Sequence, residues 1–318
     1  MHYRRLGRTG IKVSEISLGA WVTFGAQIDD ARAKALVHSA YEQGVNFFDN
    51  ADVYAKGRAE EVLGEAVKDL PREELVISSK VFFPTFEGPN GRGLSRKHIT
   101  ESIHASLKRL DLEYVDLYFC HRHDPDTTVE EVVQTMDILV RQGKILYWGT
   151  SEWDVLHLMQ AITFAKDNGL IPPVVEQTRY HLMHRSHMEN HLAPLCQEYG
   201  LGLTTFSPLN SGILSGKYND GIPEGSRAAQ ADMQWILDRI TPQVVEQVRQ
   251  LTELATELDA TTAQLAIAWV LRRKEVSSVI TGASRLEQLD ENLAAAEFED
   301  QLSDDLLDKI DLIFNEGD

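Results

Sequence analysis

Eight short apolar runs, each followed by a stretch with helical spacing, recur along this chain of 318 residues. The runs fall at residues 16–18, 45–48, 75–79, 115–119, 146–148, 174–176, 202–206 and 278–280. The helical stretches fall at 30–43, 59–69, 96–110, 129–142, 155–168, 188–199, 242–258 and 286–295. Parallel neighbours need a crossover connection, and an intervening helix supplies one. With no break in composition, the count predicts an α/β fold. The expected form is a closed (β/α)8 TIM barrel spanning residues 1–318 as one domain. No Gly-x-Gly-x-x-Gly follows the first run, which argues against an open dinucleotide-binding sheet.

Several segments lie outside the repeat. Gly7-Arg8-Thr9-Gly10 sits between two extended pieces and predicts a hairpin that plugs one end of the core. Residues 262–271 predict an additional helix capped by Thr261 or Thr262, and residues 303–314 a final amphipathic helix. Ser95 is placed to cap the helix from Arg96, and Gly143 and Gly169 suit left-handed positions after helices. Two long loops, 82–94 and 208–239, follow strands and belong on the catalytic face of a barrel.

A formal net charge of −18 excludes nucleic acid and anionic membranes as general partners. No run approaches the roughly 18 apolar residues of a spanning helix, and no apolar segment follows Met1-His2-Tyr3-Arg4-Arg5. A cytoplasmic protein without membrane insertion is therefore expected. The two cysteines, Cys120 and Cys196, do not support a disulfide framework and are expected as buried packing residues.

Four polar residues stand beside the ends of three early runs: Asp49, Tyr54, Lys80 and His121. In a parallel barrel those ends converge on one face. A carboxylate, a phenol, an ammonium and an imidazole would then share a pocket. Lys80 is expected to lower the pKa of Tyr54, and Asp49 to hold Lys80 charged. Such a group donates a proton to a carbonyl oxygen. Trp21, Phe82 and Trp153 are candidates for an aromatic substrate mouth. His181, His184, His187 and His191 cluster in sequence, but no cysteine or carboxylate completes a ligand set, and no metal is expected.

The chain resembles the aldo-keto reductase superfamily, and within it the branch like the voltage-gated potassium-channel β-subunits. The segments that carry the resemblance are Gly19-Ala20-Trp21-Val22-Thr23-Phe24-Gly25, Phe48-Asp49-Asn50-Ala51-Asp52-Val53-Tyr54, Gly93-Leu94-Ser95-Arg96-Lys97-His98 and Tyr147-Trp148-Gly149-Thr150-Ser151. Further matches are Glu176-Gln177, Tyr180-His181, Ser207-Pro208-Leu209, Gly212-Ile213-Leu214-Ser215-Gly216-Lys217-Tyr218 and the stretch from Val279 to Asn292. The resemblance implies a barrel with NADPH/NADP+ extended across its mouth. Asp49, Tyr54, Lys80 and His121 are then the catalytic set. The implied cofactor contacts are Trp21, Gln27, Asp49, Ser151, Glu152, Gln177, Phe206, Ser207, Pro208, Leu209, Asn210, Ser211, Lys217, Arg227, Gly282, Ser284, Gln288, Glu291 and Asn292. Ser151, Glu152 and Gln177 surround the nicotinamide carboxamide in this reading, and Phe206 stacks on its ring. Ser207 to Ser211 fold over the pyrophosphate, and Ser284 and Gln288 meet the 2′-phosphate.

Three positions depart from the family pattern. Glu152 stands where Asn or Arg is usual, and Gln288 where many relatives have Arg. His121 stands where channel β-subunits carry Asn, and His is the residue of competent reductases. The expected function is thus NADPH-dependent reduction of aldehydes or ketones, with Tyr54 as general acid and a small carbonyl compound as substrate. The alternative is a nucleotide-binding regulatory subunit of a membrane channel with little turnover. A homo-oligomer is consistent with the branch.

Overall fold

The computed structural model describes residues 1–230 and 233–314. Two short strands, β1 (Tyr3–Arg5) and β2 (Lys12–Ser14), pair antiparallel. Eight parallel strands then close into a barrel: β3 (Ile16–Gly19), β4 (Phe47–Asp49), β5 (Val76–Val81), β6 (Val115–Cys120), β7 (Ile145–Ser151), β8 (Val175–Arg179), β9 (Gly202–Phe206) and β10 (Val276–Thr281). Each pairs with its neighbours in chain order, and β10 closes the ring on β3. The helices are α1 (Asp30–Glu42), α2 (Arg58–Val67), α3 (Arg96–Leu110), α4 (Val129–Arg141), α5 (Val155–Asp167), α6 (Ala193–Tyr199), α7 (Gln234–Leu237), α8 (Pro242–Glu257), α9 (Thr262–Leu271), α10 (Leu286–Ala294) and α11 (Asp304–Phe314).

Strand parity divides the core in two. Phe47, Val76, Leu117, Phe119 and Val175 point into the barrel and cluster with Leu6 and Val13 of the hairpin. The hairpin therefore plugs the N-terminal end, as its position in the sequence suggests. The alternate residues, among them Phe48, Ile77, Tyr118, Trp148 and Leu203, face outward and join the larger cluster with the helices. Helix starts follow side-chain chemistry. The side chains of Asp29, Ser95, Thr128, Asp154, Thr241 and Thr261 each accept from a first-turn backbone N–H. Thr261, not Thr262, caps α9, in a reciprocal box with Gln264.

Two expectations about the helices need correction. The stretch 188–199 is not one α-helix: a π-helical segment, His187–Leu192, precedes α6. Pro194 lacks the N–H that would bond back one turn, so regular α-geometry starts only at that point. The helix that seals β10 is α9, expected as an addition, whereas α8 packs against α9 and α11. From Ala263 onward, α9 is buried at nearly every position, so it has no solvent face to give it amphipathic spacing.

Helix α2 crosses α3 at Gly64. A Cβ there would fall inside contact distance of the Leu110 backbone, which cannot move aside. Gly64→Ala is expected to lower stability by about 1–3 kcal/mol, read as an earlier denaturant midpoint at unchanged slope.

Glu176 on β8 is fully buried among the outward-facing residues. It accepts from Thr150 Oγ1 and from the backbone N–H of Trp153. Burial pushes its carboxyl up to about 8. The folded state therefore keeps a proton that the unfolded chain loses from about pH 4.5 upward. Stability should fall as pH rises through that window, by about 1.4 kcal/mol per pH unit, and level off above it. Glu176→Gln should remove that slope, so that thermal unfolding of the variant overtakes the parent on the alkaline side. A parallel pH dependence in both proteins would refute the assignment.

Candidate active site

Asp49 is the last residue of β4, Lys80 lies within β5, and His121 follows β6. Parity turns Asp49, Ser78 and Lys80 inward, above the apolar layer of Phe47, Val76 and Leu117. Tyr54 arrives by a different route. The loop after β4 is pinned to β5 by the Asp52 N–H to Lys80 C=O bond, 3.3 Å. Asn50 is buried and donates to the Ala59 carbonyl at 2.9 Å, tying the loop to α2. Ala55, Lys56 and Gly57 then take φ of 47°, 56° and 89°, three left-handed residues in succession. That conformation is costly for Ala and Lys, and the surrounding packing must enforce it. It turns the chain sharply enough to leave Tyr54 over Lys80 and to start α2 at Arg58.

Lys80 is fully buried, and its ammonium has three N–H bonds to place. It donates to Asp49 Oδ2 at 2.6 Å, to the Asn50 carbonyl at 2.7 Å and to Tyr54 Oη at 3.2 Å. Asp49 Oδ1 accepts from Ser78 Oγ at 2.8 Å and from Gln177 Nε2 at 3.0 Å. Burial works against the Lys80 charge, but Asp49 and Tyr54 outweigh it and hold its pKa raised. For Tyr54 the balance differs from the expectation. Burial is the largest influence and raises the phenol, and Asp49 adds to it. Lys80 acts in the expected downward direction without reversing the sum. Tyr54 thus keeps its proton at neutral pH. Because Oη already accepts from Lys80, the phenolic hydrogen is left to point elsewhere.

His121 is buried beside this pair. Its ring meets Tyr54 edge-on at 5.8 Å between centroids, and Phe83 at 4.9 Å. Burial, with Lys80 and Arg122 adding repulsion, pushes the imidazole well below its ordinary value. It is therefore neutral at pH 7. Its Nδ1 is buried without a hydrogen-bond partner.

The sequence reading missed Phe83, Arg122 and Ser78 and misplaced two aromatics. Trp153 is core, 1% exposed, and Phe82 is buried against Phe83, which is the ring that reaches His121. Both rest on loop geometry beyond a strand end, where alternation no longer tells which side chain faces inward. Trp21 does stand at the mouth, 44% exposed, next to Val22 with φ of 68°, a strained value for a β-branched residue.

The remaining candidates form an arc from β7 to β10. Ser151 is buried at the end of β7, and Phe206 is half-buried at the end of β9. Glu152, with φ of 55°, turns its carboxylate onto β8, accepting from the Arg179 N–H at 2.7 Å and from Thr178 Oγ1 at 3.2 Å. Gln177 is engaged with Asp49 instead of standing free. After β9, Ser207, Asn210, Ser211 and Gly212 are all left-handed, which folds Pro208 and Leu209 into a tight turn. Lys217 Nζ fills the space where a Cβ on Gly212 would stand. Burial, then Arg227 and Arg285, push Lys217 down to about 8. Burial also lowers Arg227, which approaches Gly282. Among the described residues no carboxylate lies within ion-pair distance of Lys217 or Arg227. Two desolvated cations without a counter-charge favour a bound anion, so the residues present fit the phosphates of a dinucleotide. Beyond β10, Ser284 donates through N and Oγ to Gln288 Oε1, both at 3.0 Å. Asn292 Nδ2 reaches the Gly282 carbonyl at 3.4 Å, and Glu291 is half-buried beside it. Gln27 is exposed on the β3–α1 loop.

Among the described residues, no group of three or more His, Cys, Asp or Glu is placed to hold a metal ion, and no helix is long and apolar enough to cross a membrane. Cys120 and Cys196 are free and buried.

Comparison with known proteins agrees with this geometry. The Aldo/keto reductase family model matches residues 15–314. A probable voltage-gated potassium channel subunit beta of Oryza sativa subsp. japonica is 47% identical over 317 residues, covering 98% of this chain and 96% of the relative. One from Arabidopsis thaliana has the same identity and coverage. A putative subunit of the same description from Schizosaccharomyces pombe is 47% identical over 320 residues, covering 98% and 93%. A barrel with its polar cluster at the strand ends, matched along nearly its whole length, places this chain in the aldo/keto reductase family of carbonyl oxidoreductases.

Proposed function

We propose that this protein is an NADPH-dependent reductase of aldehydes and ketones in which Tyr54 is the general acid. The observation that carries the reading is the complete use of the Lys80 ammonium by Asp49, Asn50 and Tyr54. A carbonyl oxygen at the mouth would accept the Tyr54 proton, and the phenolate left behind would face a buried cation already held in place. Neutral His121 would donate a second hydrogen bond to the same oxygen and orient it. NADPH, when bound, supplies the hydride. Lys217 and Arg227 would hold its phosphates, Ser284 and Gln288 the 2′-phosphate end, and Ser151 and Phe206 the nicotinamide. Gln177 would have to share its amide between Asp49 and the carboxamide. Two free buried thiols suit a reducing, cytoplasmic setting.

The test is aldehyde-dependent oxidation of NADPH by purified protein, followed by nicotinamide absorbance with a panel of aldehydes and with NADH in parallel. Turnover with NADPH above NADH is expected. The relatives described as channel β-subunits favour a second reading, a channel subunit that binds the nucleotide with little turnover. Tight NADPH binding with no turnover across the panel would favour that reading and sink the first.

A further inference from the structure

One cation at the barrel mouth is used neither by the proton-donating cluster nor by the phosphate-side arc. Arg122 follows His121 at the end of β6. Its Nη1 donates to the His121 carbonyl at 2.5 Å and, at 3.4 Å, to Ser151 Oγ. Its guanidinium lies 5.6 Å from the centroid of the Phe83 ring, the same ring that packs on His121. The chain thus folds Arg122 back over the site. It is close enough to bear electrostatically on both Tyr54 and His121. No carboxylate among the described residues is within ion-pair distance of it.

The carboxylates that could have neutralised it are held elsewhere. Asp49 belongs to Lys80. Glu152 is turned onto β8. Asp124 accepts from the Leu94 N–H at 2.7 Å, the Asp126 N–H at 3.1 Å and Thr127 Oγ1 at 2.8 Å. The barrel order also separates Arg122 from the cations on the phosphate side. Strand β6 stands across the ring from β10, and Lys217, Arg227 and Arg285 lie on the connections after β9 and β10. A dinucleotide whose phosphates sit on that side leaves Arg122 at the nicotinamide end, beside Ser151 and away from the phosphate-binding cations. In a protein of net charge −18, an unpaired guanidinium at the rim locally reverses a field that would repel an anion.

Resting on the reductase reading, we propose that Arg122 is a substrate-anchoring residue that selects carbonyl compounds carrying a carboxylate. Three N–H bonds remain on Nε and Nη2, and one from each nitrogen can grip the two oxygens of a carboxylate, while Nη1 keeps the group aligned on the His121 carbonyl. The apolar walls, Phe83 and Trp21, would accept the chain between carboxylate and carbonyl. The preferred substrates are then short ω-oxo acids rather than the neutral aldehydes of the same length.

The test compares matched pairs, butanal with 4-oxobutanoate and pentanal with 5-oxopentanoate, in the parent, Arg122→Met and Arg122→Lys. In the parent, kcat/KM should favour the acid of each pair by about 10- to 100-fold, chiefly through KM. Arg122→Met should abolish that preference, bringing the kcat/KM ratio of each acid to its neutral partner to about 1 while the long apolar stem still covers Phe83. Arg122→Lys should retain part of it, because the charge stays and the fork is lost. Salt should weaken the preference in the parent alone. Equal rates on acid and neutral partner in the parent would overturn the proposal while leaving the reductase intact. So would an equal loss on both in Arg122→Met, which would mark a purely supporting role for His121. Absence of turnover on every compound would bring down the reductase reading, and this inference with it.

Discussion

Tyr54→Phe is expected to lower kcat for aldehyde reduction by about 10²–10⁴-fold, the usual worth of a positioned proton donor. NADPH affinity and folding should change little. The substitution removes one oxygen and keeps the ring that packs on His121. Lys80 loses one acceptor of three but retains Asp49 and the Asn50 carbonyl, so its charge stays compensated. The stability cost should be about 0.5–1.5 kcal/mol. The pH profile separates this acid from its neighbours. Burial keeps the phenol raised and the His121 imidazole depressed. The kcat for reduction should therefore show no limb in the ordinary histidine range and should decline only on the alkaline side. A variant that retains more than a tenth of parental kcat, or a parent whose rate titrates near pH 6.5, would remove Tyr54 from the role.

The barrel was legible in the sequence because its strands are buried on both faces. Leu117 to Cys120 is a continuous buried apolar stretch, and the polar residue that follows it, His121, marks the mouth. Asp49, Lys80 and His121 could be read for that reason. What lay beyond was set by contacts across the fold. Gln177 reaches Asp49 over a separation of 128 residues, and nothing local announces that bond. Arg122 and Phe83 follow strand ends, where the period of two lapses and loop conformation decides. The sum of influences on Tyr54 was also hidden. Charge types can be counted in a sequence, but the burial that outweighs Lys80 is a property of the packed site. The shift of barrel-sealing duty from α8 to α9 has the same origin, since a helix buried all round loses the very pattern by which surface helices are recognised.

Lys80→Met should be the most destabilising single change at the site, by about 3–5 kcal/mol. Both partners of the Lys80–Asp49 pair are buried, with side chains 0% and 4% exposed and 2.6 Å apart. Met occupies similar volume, so the loss would come from charge and not from a cavity. Asp49 would keep its bonds from Ser78 and Gln177, but two neutral donors cannot replace a cation for a desolvated carboxylate. Asp49→Asn should in turn leave a buried ammonium with only the Asn50 carbonyl and Tyr54 for full acceptors. Combining the two removes both charges, and the double variant should recover a substantial part of the stability lost by either alone, a coupling readable from denaturant midpoints. Activity should not recover with it. In the proposed reaction the phenolate formed at Tyr54 needs the ammonium itself, and a neutral pair would restore the fold without restoring that stabilisation. Additive losses in the double variant would mean that the pair is not the compensating unit. Restored turnover would mean that Lys80 serves the fold and not the proton transfer.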